Sequence, residues 1–158
     1  MLRNLLLMLV ALALLVLPLT SVADDKTGAK LFSAGDLKGF EKSLVPKMDQ
    51  TKGGNQTLLT TKTHGALVFH REGSGEPEIH TKLADFMIVL SGEGQIQVGG
   101  NLTEGKTTAP DEIRGKALDG GTMYKIAQGD VLYVPANVPH RTHVAAGKQL
   151  NVMVIKAQ

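Results

Sequence analysis

From Ala66 to the C-terminus, glycine, proline, asparagine and aspartate cut the chain into apolar runs too short for helices. The runs Ala66–His70, Phe86–Leu90, Gln95–Val98, Val131–Val134 and Leu150–Ile155 are rich in β-branched and aromatic residues. Gln95-Ile96-Gln97-Val98 and Leu150-Asn151-Val152 alternate, the pattern of a strand with one face buried. Gly92, Gly94, Gly99, Gly100, Gly105, Gly120, Gly121, Gly129 and Gly147 fall between or beside these runs. Many short strands with frequent turns predict an all-β sandwich or barrel. Asn101 to Gly121 is polar, contains Pro110, and reads as a long surface excursion between two strands.

One helix is expected ahead of the strands. Leu37, Phe40, Leu44 and Met48 recur at spacings of three and four, Ser33 or Asp36 can cap the start, and Pro46 ends the helix near Val45. Lys52-Gly53-Gly54-Asn55 reads as a turn. Arg3, the unbroken apolar run Leu5–Leu17, Pro18 and the small residues Ser21-Val22-Ala23 predict a signal peptide over residues 1–23. That run is shorter than the roughly 20 residues a membrane span needs, so no stable anchor is expected after cleavage. The expected organisation is therefore a leader over 1–23, a tail and short helix over 24–60, and a β-barrel domain over 61–158. Such a protein would be secreted or periplasmic, exported by the general route because twin arginines are absent from the leader.

Composition removes several functions. There are 17 basic and 15 acidic residues in 158, a formal net charge of +2, with no basic run. That argues against nucleic acid as a partner. Cysteine is absent, which excludes disulfides and a lipid-modified cysteine. Four phenylalanines, two tyrosines and no tryptophan make an aromatic sugar-stacking platform implausible.

Two stretches carry the chemistry. In Glu78-Ile79-His80, residues two apart on a strand project to one side, so Glu78 and His80 point together. Asp85 opens the apolar run Phe86–Leu90, and His140 closes the stretch Gly129–His140. Two imidazoles and two carboxylates converging on a cavity fit a cation. Against this stand two ordinary barrel histidines, an Asp85 twisted to solvent, and a Glu78 that orients His80 or faces water. With all four residues as ligands the donor set is two nitrogens and two oxygens, which suits Mn²⁺, Fe²⁺ or Zn²⁺ better than Cu(I). His80, His140 and Asp85 alone would form a two-histidine, one-carboxylate face of the kind iron oxygenases use. Met87 and Val89 share the face of Asp85 and Thr142 that of His140, so these three should line a small ligand pocket. Arg71, ahead of Gly73-Ser74-Gly75, could hold a carboxylate at the rim. Arg141 and His143 would point outward, Tyr133 would pack in the core, and His64 has no evident role.

These stretches resemble the paired motifs of the cupin superfamily, in particular its small, exported, single-domain bacterial members. The first family motif sets a glycine, His-x-His, a glutamate and a closing glycine; here the frame is Glu78-x-His80, Asp85 and Gly92. The second sets Gly, Pro-x-Gly, His and Asn; here it is Gly129, Pro135-Ala136-Asn137, His140 and Val144. Glu78 stands for the first histidine, Asp85 for the glutamate, Asn137 for a glycine and Val144 for the final Asn. The resemblance implies a jelly-roll barrel, one divalent metal (Mn, Fe or Zn) on Glu78, His80, Asp85 and His140, a small-molecule ligand, and a homodimer. It leaves open a metal-dependent oxygenase, isomerase or lyase with Glu78 or Asp85 assisting proton transfer, a non-catalytic metal- or ligand-binding module, and a structural dimer with a vestigial pocket.

Overall fold

Ser33 starts the first element by an N-terminal capping box: its hydroxyl accepts from Asp36 N at 3.1 Å, and the Asp36 carboxylate accepts from Ser33 N at 2.8 Å. Helix α1 (Ala34–Leu44) follows and runs into a short 3-10 turn, Val45–Lys47, that contains Pro46. The computed structural model describes residues 27–158; the leader expected over 1–23 lies outside the described residues. Among the described residues, no helix is long and apolar enough to cross a membrane.

The remainder is β. The strands are β1 (Gly53–Thr60), β2 (His64–Arg71), β3 (Glu78–His80), β4 (Ala84–Val98), β5 (Asn101–Thr103) and β6 (Lys106–Ala109), followed by β7 (Glu112–Arg114), β8 (Ala117–Asp119), β9 (Thr122–Ala127), β10 (Val131–Val134), β11 (His140–His143) and β12 (Leu150–Ala157). They form an all-β, curled half-barrel with one short N-terminal helix. The pairing runs β1-β2-β12-β4-β11-β3-β7-β6, with β9 and β10 also on β4 and β5 paired to β8.

Strand β4 joins the two halves of this sheet. Its first part pairs with β12 and β10, and its last part with β11 and β9. The change happens at a bulge. Asn151 pairs with Ser91 but Val152 pairs with Val89, so Leu90 is an extra residue. One extra residue inverts the side-chain parity. Met87 and Val89 face inward before the bulge, and Ile96 faces inward after it, each at most 5% exposed. Gly92 (φ 78°) follows the bulge, and any Cβ there would run into the backbone carbonyl of Gln149. Met87, Val89, Ile96, Val134, Val152 and Val154 belong to one buried cluster.

Three sequence expectations differ from the structure. Residues 53–55 are the start of strand β1, because the turn lies earlier: Asp49 Oδ1 accepts from Thr51 N at 2.8 Å and from Gly53 N at 3.2 Å. The sheet thus begins ahead of residue 61. Asn101–Gly121 does lie between two strands, β4 and β9, but it is not free of strands itself: it holds β5 to β8, nested as two antiparallel pairs, with β7 also added to β3. Tyr133 is half exposed rather than packed in the core, its ring 4.8 Å from that of Phe86 on the outer face. On β10 the inward positions are Leu132 and Val134, which leaves the odd residues outside.

Candidate metal centre

Glu78 and His140 are direct partners across the β3–β11 ladder, and Glu78 and His80 stand two apart on β3. Asp85 is reached from the other half of the sheet, through the first residues of β4, where it pairs with Val134 and Lys156. The loop from β10 to β11 is fixed by Asn137, whose φ of 63° is left-handed and whose N donates to the His80 carbonyl at 2.8 Å. Asparagine tolerates that conformation at modest cost, which is how it replaces glycine there.

These elements bring the polar atoms together. His80 Nε2 lies 3.4 Å from Asp85 Oδ2 and 3.9 Å from Glu78 Oε1. His140 Nε2 lies 3.6 Å from each of the same two oxygens. Asp85 and His140 are each 2% exposed and His80 is 9% exposed. Glu78, His80 and His140 each offer one donor atom, all within 4.8 Å of one another, and form a candidate metal triad. Donors bound to one first-row ion at about 2.0–2.2 Å stand roughly 3–4 Å apart, close to the spacings seen here.

The protonation pattern supports the same reading. His140 Nδ1 lies 3.1 Å from the Val138 carbonyl, which can only accept, so Nδ1 carries a proton and Nε2 is the nitrogen left to meet a cation or a second proton. That Nε2 is buried and has no hydrogen-bond partner. A buried acceptor without a donor is costly unless a cation or proton meets it. Around it, burial pushes the His140 imidazole down, but Asp85 and Glu78 outweigh burial and hold its pKa above the ordinary histidine value. His80 shifts the opposite way, lowered by burial and by the Lys156 ammonium. Burial pushes the Asp85 carboxyl up, yet His140, Lys156 and His80 together keep it below the usual carboxylate range. The donor set therefore fits a divalent cation.

Three charged residues at the site were not singled out from the sequence. Arg114 donates from Nη2 to Glu78 Oε2 at 2.7 Å and from Nε to Glu112 Oε1 at 2.8 Å. Glu112 Oε2 stands 3.9 Å from His80 Nδ1, on the side of the ring away from the carboxylate pair. Lys156 donates to Asp85 Oδ1 at 2.9 Å and to His80 Nε2 at 2.7 Å. The alternation Leu150, Val152, Val154 would have placed Lys156 on the inner face. Glu112-Ile113-Arg114 alternates as well, but over only three residues.

A cavity of about 180 Å³ opens at this cluster. Met87 and Thr142 line it, together with Leu67, Phe69 and Val154. Val89 lies in the hydrophobic cluster instead. Arg71 does not line this cavity, because its guanidinium is committed elsewhere: Nη1 donates to the Thr51 carbonyl and hydroxyl at 3.1 and 3.0 Å, and the group stacks over Phe69 at 4.8 Å. Arg141 Nε donates to the Gly75 carbonyl, and His143 Nε2 meets Gln97 Oε1 at 3.0 Å, both outside the cavity.

The fold resembles that of solved cupin and double-stranded β-helix domains. A Klebsiella pneumoniae protein with a double-stranded β-helix domain superposes with a TM-score of 0.54 at 14% identity, over 82% of this chain and 90% of that one. The Cnp3 cupin domain of Schizosaccharomyces pombe superposes with a TM-score of 0.52 at 11% identity, over 72% and 70% of the two chains. The DMSP lyase DddQ of Ruegeria pomeroyi gives 0.50 at 13% identity, over 68% of this chain. This chain spans only 47% of the lyase. The solved neighbours of this fold thus include enzymes. No protein-family model matches the chain, and no curated protein matches it in sequence.

Proposed function

We propose that this protein is a metal-dependent enzyme that acts on a small oxygenated molecule in the cavity beside Glu78, His80 and His140. The observation that carries this is the buried, unpartnered Nε2 of His140, aimed at two carboxylates. One Mn, Fe or Zn ion would be held by Glu78, His80 and His140, with Asp85 Oδ2 as a further oxygen, and would supply Lewis-acid polarisation of a bound oxygen. The chain's own residues orient that site. Val138 fixes the His140 ring, Glu112 faces the far nitrogen of His80, and Arg114 holds Glu78 with one oxygen turned toward the imidazoles.

Charge narrows the ligand class. Glu78, Asp85 and Glu112 oppose Arg114 and Lys156 around the cavity. With neutral imidazoles the site is one negative charge in excess, and a divalent ion turns that into one positive charge in excess. A small anionic oxygen ligand, a carboxylate or an enolate, matches that balance, while Met87, Leu67 and Phe69 accept an apolar remainder. Thr142 supplies a hydroxyl on the same wall. The reaction is an oxygenation, an isomerisation or a lyase step, with Glu78 as the carboxylate placed to move a proton when it is not ligating.

A non-catalytic binding module is the second reading, favoured by the contacts of Lys156, which satisfy His80 and Asp85 without any ion. We also place the protein outside the cytoplasm, on the strength of Arg3, the run Leu5–Leu17 and Ser21-Val22-Ala23.

The test is metal content by mass spectrometry on protein purified from its native compartment, wild type beside His80→Ala/His140→Ala. About one Mn, Fe or Zn per chain, lost in the double variant, is the expected result; no metal in the wild type, even after divalent ions are added, would overturn the reading. Turnover lost in Glu78→Ala when the weakened site is saturated with metal would separate the enzyme from the binding module.

A further inference from the structure

Lys156 is an unusual residue for the inner face of a strand. It follows Leu150, Val152 and Val154 at every second position of β12, and those three are at most 5% exposed. Its register partner on β4 is Asp85, so the backbone delivers the ammonium to the metal-ligand cluster rather than to solvent. There it donates 2.9 Å to Asp85 Oδ1 and 2.7 Å to His80 Nε2, with a side chain only 21% exposed.

An ammonium has hydrogens to give and no lone pair to accept with. The Nε2 it meets must therefore be the unprotonated nitrogen of a neutral imidazole, and that nitrogen has a single in-plane lone pair. A metal ligand needs the same lone pair. The two roles exclude each other at His80. They do not at His140, whose Nε2 has no partner. Nor does the second cavity cation compete, because the two guanidinium nitrogens of Arg114 that make ion pairs are bound to Glu78 and Glu112 and not to an imidazole.

We propose that Lys156 is a built-in cation that holds the ligating lone pair of His80 and must release it when an ion binds, so that this one side chain sets the metal affinity of the site. The inference rests on the metal-site reading above. Without an ion, Lys156 offsets the charge of Asp85 and keeps the cluster together. With an ion, it keeps Asp85 and loses His80, which turns its ammonium into a free donor at the cavity wall, beside whatever oxygen ligand is bound.

The test is equilibrium dialysis of Mn²⁺ and of Zn²⁺, each alone, against chelator-stripped protein: wild type, Lys156→Met and Lys156→Gln, with Lys82→Met, whose ammonium is exposed and paired with Asp111, as the control for loss of a neighbouring surface charge. Both Lys156 variants are expected to bind at least about tenfold tighter than wild type, the scale of a charged hydrogen bond removed from a ligand atom, and Lys82→Met to bind like wild type. Melted without metal, the Lys156 variants should unfold at lower temperature than wild type and gain more on metal addition. If Lys156→Met fails to fold by circular dichroism, Lys156→Gln carries the comparison. Unchanged or weaker binding in the folded variants overturns the proposal while one equivalent bound by the wild type leaves the metal site standing. Equal tightening in Lys82→Met overturns it too, as an effect of net charge alone. Absence of binding in every protein overturns the metal site and this role of Lys156 together.

Discussion

Glu78 lies directly opposite His140 across the β3–β11 ladder, and its Oε1 comes within 3.6 Å of His140 Nε2. The ladder thus pairs a carboxylate with an imidazole at one backbone step, while His80 joins from two residues along β3. The register sets the two backbones opposite each other, and Arg114 Nη2, 2.7 Å from Glu78 Oε2, holds the carboxylate in that direction. Replacing Glu78 by Gln keeps the shape and the carbonyl oxygen but removes the charge. Its metal affinity is expected to fall by about tenfold or more, on the scale of single ligand-sphere changes, with the fold intact. Isothermal titration with Zn²⁺ checks this; unaltered affinity would show that Glu78 faces the ion without holding it.

Arg114 should matter nearly as much, although it is no ligand. It holds Glu78 Oε2 at 2.7 Å and Glu112 Oε1 at 2.8 Å, and without it two carboxylates face each other beside His80. Arg114→Ala is expected to weaken metal binding by about 10–100-fold. Arg114→Lys should recover only part of that, because a lysine cannot reproduce the forked contact with two carboxylates. The pair of dissociation constants decides it.

Much of this site was legible because it broke the apolar pattern. Asp85 is a polar residue at an inward position of a strand that otherwise buries Met87 and Val89, and period two places it, whereas His140, on the polar strand β11, was found by its place at the end of the stretch from Gly129 through Pro135. Lys156 obeys the same period. Lysine is so commonly solvated that its position alone did not single it out. Glu112 and Arg114 were hidden for another reason. Their strand is three residues long in a polar stretch, and what makes it a strand is pairing with β3 and β6, a long-range fact. Strand β1 is similar: Asn55-Gln56-Thr57 shows no apolar alternation, and its neighbour β2 supplies the order. The bulge at Leu90 was invisible in a continuous apolar run, since only the partner strand counts the extra residue.

The turn ahead of β1 carries a pH dependence of known sign. Asp49 Oδ1 accepts from the Thr51 hydroxyl at 2.7 Å and from the backbone N of Thr51 and Gly53. The Thr51 hydroxyl chiefly holds its carboxyl below the ordinary value, against a smaller upward push from burial. A carboxyl with a lowered folded pKa stabilises fully above its unfolded pKa, near 3.9, and loses that contribution as pH falls through the folded value. Urea midpoints of wild type and Asp49→Ala should differ most at neutral pH and converge in acid below about pH 4. A gap that is constant down to acid pH would assign the effect to chain stiffness instead.

Gly92 is the backbone position on which the two halves of β4 depend. Its φ of 78° lies where side chains are strained, and a Cβ would also meet the Gln149 carbonyl, on the segment that brings in Leu150. Gly92→Ala is expected to lose on the order of 1–3 kcal/mol from the backbone alone, with more from the collision. The damage should also reach the site. Leu150 pairs with Gly92 and, six residues on, Lys156 pairs with Asp85, so a shift at the bulge moves the whole β12 register against β4. Chemical denaturation gives the stability loss, and metal titration of the folded variant should show weaker binding than wild type. A stability loss with unaltered metal binding would mean that the bulge absorbs the strain locally and that the Asp85–Lys156 pairing is set by the other end of β12.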